Sequence, residues 1–566
     1  SIKSDFFSIN HSCTFTKCTN LQLTSIMTKQ ACKYFRIYLG SLIIYCNFIL
    51  SCSTTNDESK SDQVFRYNEH KNISSLDPAF AKDNADIWAT NQLFNGLVQM
   101  DSTLVISPAI ASSWTISKDG KTYTFDLRED VYFHPHKLFG KSNTRTVNAT
   151  DFVYSFDRLK SPQLASPGSW VLKNVQSYKA VDGRQFQITL KQPFPAFLGL
   201  LTMKYCSVVP REVTSHYGAE FRSNPIGTGP YKFKRWEENI KLIFRKNNRY
   251  FEFNSKGDRL PYLEAISITF LAEKQSEFLE FIQGNIDFIS GLDASYKDEI
   301  LNSNGALNSN YVSTVKMLRA PYLNTEYLGF YMDYEKTEYQ NQLMRQAVNY
   351  GFDRRKMMTY LRNGIGIPGN GGFIPKGLPG YKKNSGYTYN PKKAKKLLEI
   401  YKLESGNQTP EITLSTTANY LSFCEFIQRE LQTIGLKISI DVMPPSSLKS
   451  AKSNGKLDLF RASWVADYPD AQNYLSLFYS KNFAPNGPNY THFKNTQFDF
   501  WYEEALKETD IEFRIKLYQK MDALVLEKAP IVVLFYDEVV RFTLANVKGL
   551  GVNPTNLLEV KNVRKY

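Results

Sequence analysis

Residues 461–478 read "RASWVADYPDAQNYLSLF", and the pattern sets two demands against each other. Just upstream, "KLDLF" alternates through Leu457 and Leu459 and predicts a short strand entering a core. The apolar run Trp464-Val465-Ala466 continues inward, yet Asp467 follows it directly and Asp470 comes shortly after. Trp464, Tyr468, Tyr474 and Phe478 surround the two acids. A buried carboxylate is costly unless a donor or a cation meets it. Asp467 therefore either caps a turn over "YPDA" or waits for a cation that arrives from outside.

Around this stretch, strands and helices alternate along the whole chain. "VFRYNE" is a short alternating strand, and Ile87, Asn91, Phe94 and Leu97 follow helical spacing after the Leu76-Asp77-Pro78 turn. "TISKDGKTYTFDLREDVYF" predicts a hairpin turning at Asp119-Gly120, with Tyr123, Phe125 and Leu127 on one face. "TVNATDFVYSFDRLKS" is a helix capped by Asn148 or Thr150, and "GRQFQITLKQPF" is a strand. Two alternating strands follow the Gly/Pro turn of "NPIGTGPYKFKRWEENIKLIFRKNNRYF". "KQSEFLEFIQGNIDFI" gives a helix, a stop at Gly284 and a strand. The second half has the same grammar: "NQLMRQAVNYGFDRRKMMTYLRN" holds two helices, "NPKKAKKLLEIYK" starts at Pro391, and "FRIKLYQKMDALVLEKAPIVVLFY" runs from helix into strand. The expected class is mixed α/β (α+β), and 566 residues are too many for one ordinary core.

The formal charge of +14 raises nucleic acid as a partner, but the distribution argues against it. Residues 1–51 carry Lys3, Lys17, Lys29, Lys33 and Arg36 against Asp5, which leaves +10 for the rest, dispersed among acids as in "RKNNRYFEFNSKGDR". Aromatic residues make up 14% of the chain, which suits large cores and also a cleft for flexible organic ligands.

Met27 opens a basic segment (Lys29, Lys33, Arg36), followed by an apolar run from Ile37 to Leu50 and then Ser51-Cys52. The run has signal-peptide proportions and is short for a membrane span. "ILSC" resembles a lipoprotein cleavage box, which makes Cys52 the expected lipidated residue and "STTNDESKSDQ" a flexible tether. The expected segments are upstream translation over 1–26, a signal peptide over 27–51 and a lipidated tether over 52–63. Beyond Cys52 only Cys206 and Cys424 remain, with no short spacing, so a pairing between them stays open.

Catalytic and metal motifs are scarce. "FHPHK" (His134, His136) reads as a solvated loop, because no further ligands cluster with it. "GIGIPG" (Gly364, Gly366, Gly369) matches dinucleotide-binding letters but follows a helix, and Pro368 opposes a helix start, so it reads as an extended loop. No nucleophile elbow, phosphate-binding lysine loop or zinc-protease motif is present. No catalytic residue, cofactor or metal is expected, and the chain reads as a non-enzyme.

Several segments together resemble family 5, the peptide/nickel family, of bacterial extracytoplasmic solute-binding proteins of ABC importers. They are "LDP", "LFNGLVQMD", "ASSWTISKDGKTYTFDLREDVYFH", "VNATDFVYSFDRL", "NPIGTGPYKFKRW", "LMRQAVNYGFDRRKMM", "YNPKKAKKLL" and "LFRASWVADYPDAQNYL", in the family's order. The resemblance implies a two-lobed periplasmic-binding-protein class II fold with a hinge and three domains. Lobe 1 would comprise a main domain of 62–98, 203–322 and 532–566 with 99–202 inserted, and lobe 2 would span 323–531. "RAPYLNTEYLGFY" and "APIVVLFYDEVV" suit the hinge crossings. It further implies an oligopeptide ligand whose α-ammonium meets Asp467, with Trp464 packing over it, Tyr468 beside it and Arg461 able to reach a ligand carboxylate. An ion pair of Arg461 with Asp458 or Asp470 is the alternative. Dipeptide-selective members carry an arginine near the segment corresponding to "TANYLSFCEF", where Tyr420, Leu421 and Ser422 bring no basic residue, which leans towards longer peptides. The expected protein is a monomeric, lipid-anchored receptor of the periplasm or cell envelope. It would deliver oligopeptides to ABC permease subunits and bind no nucleic acid. A receptor of the same fold for a murein peptide, dipeptide, oligosaccharide or metal chelate is the alternative.

Overall fold

Period-2 and period-3.6 patterns alternate along the chain, and the structure, a computed structural model, follows them through the residues it describes, 63–333 and 341–566. The signal segment, Met27, Cys52 and nearly all of the tether lie outside the described residues. The strands that matter to the site are β1 (Val64–Asn68), β2 (Ala111–Ile116), β3 (Thr122–Leu127), β4 (Val175–Ala180), β5 (Gln185–Leu190), β6 (Tyr231–Glu237) and β7 (Lys241–Lys246). They continue with β8 (Ala265–Thr269), β9 (Phe288–Ser290), β10 (Val315–Phe330), β11 (Glu411–Thr416), β12 (Lys437–Val442), β13 (Leu459–Val465) and β14 (Ile531–Leu544). The helices are α1 (Asn84–Leu93), α2 (Ala149–Lys160), α3 (Phe197–Leu201), α4 (Lys274–Ile282), α5 (Gln342–Tyr350), α6 (Arg354–Arg362), α7 (Pro391–Ser405), α8 (Leu421–Gln432), α9 (Ala471–Leu475), α10 (Thr496–Lys507) and α11 (Ile511–Lys528). Among the described residues, no helix is long and apolar enough to cross a membrane.

One sheet runs in the order β12-β11-β13-β10-β14-β9-β1-β8-β7-β6, with Ile367–Pro368 of "GIGIPG" adding a short bridge to β14. β10 and β14 pair antiparallel over most of their length and are the long members. One end of each lies in cores built from the second half of the chain: Leu328 and Phe330 of β10, Val532 and Leu534 of β14. The other ends, Val315, Val540 and Phe542, join a first-half core with Phe278 and Ile289. Their ladder breaks between Pro321 and Thr325. Pro321 has no N–H to give, and the Leu323 amide turns away to the Pro554 carbonyl at 2.8 Å.

A separate four-stranded antiparallel sheet, β2-β3-β5-β4, carries α2 on one face. Tyr123, Phe125 and Leu127 alternate inward there as expected and are buried with Phe152 and Phe156 of α2. Asn148 is the cap of α2: its side chain accepts from the Thr150 and Asp151 amides, and Asp151 returns the bond.

Two local expectations fail for tertiary reasons. α1 stops at Leu93, so Phe94 and Leu97 are not helical; Phe94 is already extended. The Leu93 carbonyl instead accepts from the Gly229 amide at 2.8 Å. A Cβ at Gly227 or Gly229 would collide with the Leu93 backbone, which explains both glycines of "GTG". The "FHPHK" loop is solvated only in part, with Pro135 and Lys137 exposed. His134 is buried, its Nε2 lies 3.0 Å from the Gly229 carbonyl, and burial lowers its pKa to about 4. It pins the glycine turn, a long-range contact that local composition does not encode. Cys206 and Cys424 are free, buried thiols in different cores.

Candidate functional site

β13 pairs with β10 from Leu459 to Val465, and the Ala466 amide then donates to the Leu323 carbonyl at 2.9 Å. Beyond it the chain turns at Tyr468-Pro469 into α9. Asp470 is the turn's cap: its carboxylate accepts from the Gln472 amide at 2.9 Å and the Tyr518 hydroxyl at 2.7 Å, and Arg514 lies 3.3 Å away. Asp467 makes one side-chain bond, accepting from Asn473 Nδ2 at 3.1 Å. The buried Asn473 also accepts, through Oδ1, from Trp464 Nε1 at 2.8 Å and from the Asp467 amide at 3.3 Å. One amide thereby fixes both the indole and the acid.

Asp467 and Tyr468 line a cavity of about 620 Å³, within the size of small-ligand sites. Tyr468 also reaches a neighbouring core: its ring packs edge-on to Phe194 at 6.1 Å and joins the core of the four-stranded sheet. Further lining comes from α1 (Asn84, Trp88), from the turn after α3 (Lys204, Tyr205) and from Trp170; Tyr322, at the break in β10, lines it too. No metal-binding group of three or more His, Cys, Asp or Glu residues occurs among the described residues.

Carboxylates that line this cavity differ in what already satisfies them. Asp86 is held by the Ser74 amide and hydroxyl, both at 2.9 Å. Asp101 closes its own turn through Thr103 and Val105. Glu69 is buried with Oε1 unpartnered, and burial first, then Glu277, pushes its pKa to about 8, so it is largely neutral at pH 7. Asp83 is exposed at the start of α1, where water screens it. Asp467 is open to the cavity, yet enough protein surrounds it that desolvation raises its pKa, opposed by the Asn473 bond. No cation pairs with it among the described residues. Its charge acts on another lining residue: after burial, Asp467 is the next cause that pushes the Tyr205 phenol up to about 12.

Arg461 and Trp464 are not on the cavity wall. The Arg461 guanidinium pairs with buried Glu326 and stacks on Tyr420, so its partner is neither Asp458 nor Asp470. Sequence proximity suggested those two acids, whereas the antiparallel register of β13 on β10 brings Glu326 beside the arginine. Lys204, Tyr205, Trp170 and Asn84 were missed, since they reach the cavity from distant loops and helix ends. The one local hint is a lysine inside the apolar run "LGLLTMKYCSVV".

Residues 105–486 match the family described as bacterial extracellular solute-binding proteins, family 5. The glutathione-binding protein GsiB of Escherichia coli is 25% identical over 490 residues, covering 85% of this chain and 91% of that protein. The periplasmic binding protein DppA of Helicobacter pylori, solved with the peptide STSA, is 26% identical with a TM-score of 0.72, covering 89% of this chain and 98% of that one. HbpA2 of Haemophilus parasuis shares the fold at 23% identity and a TM-score of 0.77, covering 89% and 100%.

Proposed function

The chain belongs to the bacterial extracellular solute-binding proteins of family 5, periplasmic or extracellular receptors of ABC importers for peptides or related solutes, and from that premise we propose that it captures oligopeptides in the cavity beside Asp467. The observation that carries the reading is the Asp467 carboxylate, on the cavity wall with one amide donor and no cation among the described residues. A carboxylate in such a partly dry recess gains more from an ammonium than it would in water. The DppA structure in complex with the peptide STSA supports a peptide as the ligand class. The Asn473 amide, oriented by Trp464 Nε1 at its Oδ1, fixes the position of the acid. Closure and opening about β10 and β14 would trap and release the ligand as a population shift, with no catalytic step. Anchoring through a lipidated Cys52, a monomeric state and delivery to a permease belong to the same proposal.

The test is calorimetric titration of protein freed of co-purified ligand by unfolding and refolding. Titrants are Ser-Thr-Ser-Ala, its N-acetylated form and glutathione, the last because of the GsiB relative. The free-amine tetrapeptide should bind, and acetylation or Asp467→Ala should each cost about 2–5 kcal/mol. Equal binding of the acetylated form would remove Asp467 from the ammonium site. Binding of glutathione alone would move the ligand class to that of GsiB.

A further inference from the structure

A peptide that places its ammonium on Asp467 brings a carboxylate at its other end. Arg461, the basic residue that the family resemblance offers for it, is turned into the sheet against Glu326 and Tyr420. The cavity wall holds four lysines: Lys71, Lys82, Lys204 and Lys561. Lys71 and Lys82 are exposed. Lys561 is neutralised by Glu252 at 2.6 Å and also reaches Gln99 at 3.2 Å. Lys204 is different: it is partly buried, and no hydrogen bond or ion pair reaches its Nζ among the described residues.

Two other withdrawn lysines among the described residues have carboxylate partners, whereas Lys452, whose pKa burial lowers to about 8, lies over the Tyr490 ring at 4.1 Å. Lys565 lies 2.9 Å from Asp287, and Lys274 lies 2.6 Å from Glu277. A lysine taken from water without one carries an uncompensated desolvation cost. Burial accordingly lowers the Lys204 pKa to about 8, with Glu559 opposing the shift from beyond ion-pair distance and Lys561 adding to it. The backbone under Lys204 is fixed. Its carbonyl accepts from the Ser207 amide at 3.0 Å, and Cys206 seats the turn in the core. Lys204 and Asp467 both line this one cavity.

Resting on the peptide-receptor reading, we propose that Lys204 is the carboxylate-binding residue of the cavity, and that Asp467 and Lys204 together select a zwitterionic peptide by reading both of its ends. The anchor for the ligand's carboxylate then lies on a turn that packs with the core of the four-stranded sheet, and not on β13.

The deciding experiment is a calorimetric cycle with Ser-Thr-Ser-Ala and its C-terminal amide against wild type and Lys204→Met, which keeps the side-chain length. The expected result is a loss of roughly 30-fold or more when the amide replaces the acid on wild type. Lys204→Met should weaken the acid by a similar factor and leave the amide nearly unchanged. The proposal is overturned if wild type binds acid and amide alike. It is equally overturned if the amide is weak but Lys204→Met binds the acid as wild type does, because the carboxylate is then read elsewhere. Both of these results leave the Asp467 reading intact, since N-acetylation tests it separately. If neither peptide form binds wild type, the peptide-receptor reading itself falls and takes this assignment with it.

Discussion

Arg461 and Asp467 stand six residues apart on one segment, and the protein treats their charges in opposite ways. At the strand end, Arg461 meets Glu326 from the neighbouring strand, both side chains withdrawn from water, with the guanidinium lying on Tyr420. At the turn end, Asp467 opens on a cavity with one amide donor. The first region closes its electrostatics internally and helps specify how β10 and β13 register. The second leaves a charge unsatisfied, the arrangement a ligand-binding wall requires. Asp470 resembles the first type although it lies closer to the second, because Tyr518 and Arg514 of α11 reach it. Satisfaction of a charge follows from which elements pack on it, not from its place in the sequence.

The contrast can be broken at the strand end first. Arg461→Ala leaves Glu326 buried without its cation and should cost about 3–5 kcal/mol in urea unfolding. Replacing both partners, Arg461→Met with Glu326→Leu, should restore most of that loss or exceed wild-type stability. A double variant as unstable as the single one would mean that packing on Tyr420, not charge, holds this end. At the turn end the balance reverses: Asp467→Ala should leave stability within about 0.5 kcal/mol of wild type while abolishing tight binding of free-amine peptide.

Asp470→Ala probes the intermediate case. Losing the cap and the Tyr518 bond should cost about 1–3 kcal/mol, with a smaller effect on peptide affinity than Asp467→Ala. A larger effect on affinity would place Asp470 in the ligand site as well.

The smallest effects are in pH dependence. Peptide affinity should fall on acidification from above the ordinary carboxylate range, because Asp467 loses its charge at a raised pKa; Asp467→Asn should flatten that limb. For stability the sign is opposite to that of paired acids. Burial holds Glu69 neutral up to about pH 8 and Asp522 up to about pH 7. Above the ordinary value of 4.5 for glutamate, the unfolded chain sheds protons that the folded chain keeps. Stability from these groups therefore declines as pH rises through that window. Thermal melts of Glu69→Gln should show a shallower decline than wild type, and an unchanged slope would assign the pH dependence to other groups.

Much of the architecture was legible locally. The alternation of "TYTFDL", the Asn148 cap, the Gly284 stop and Pro391 at a helix start each follow from rules acting over a few residues. The segment Trp464–Tyr468 was legible too, since an acid after an apolar run is anomalous wherever the fold puts it. The end of α1 at Leu93 and the burial of His134 were not, because both depend on a glycine turn over 90 residues away.

The sequence by itself determined the element types, the mixed α/β class, the family resemblance and the suspicion attached to Asp467, because periodicity, capping and anomalous polarity are short-range properties. Only the tertiary structure decided which charges remain free. It matched Arg461 to Glu326 across a sheet register and Asp470 to α11, and it left Asp467 and Lys204 open on one cavity. Coulomb and desolvation energies depend on distances in space between groups far apart in sequence, and no local pattern carries that information.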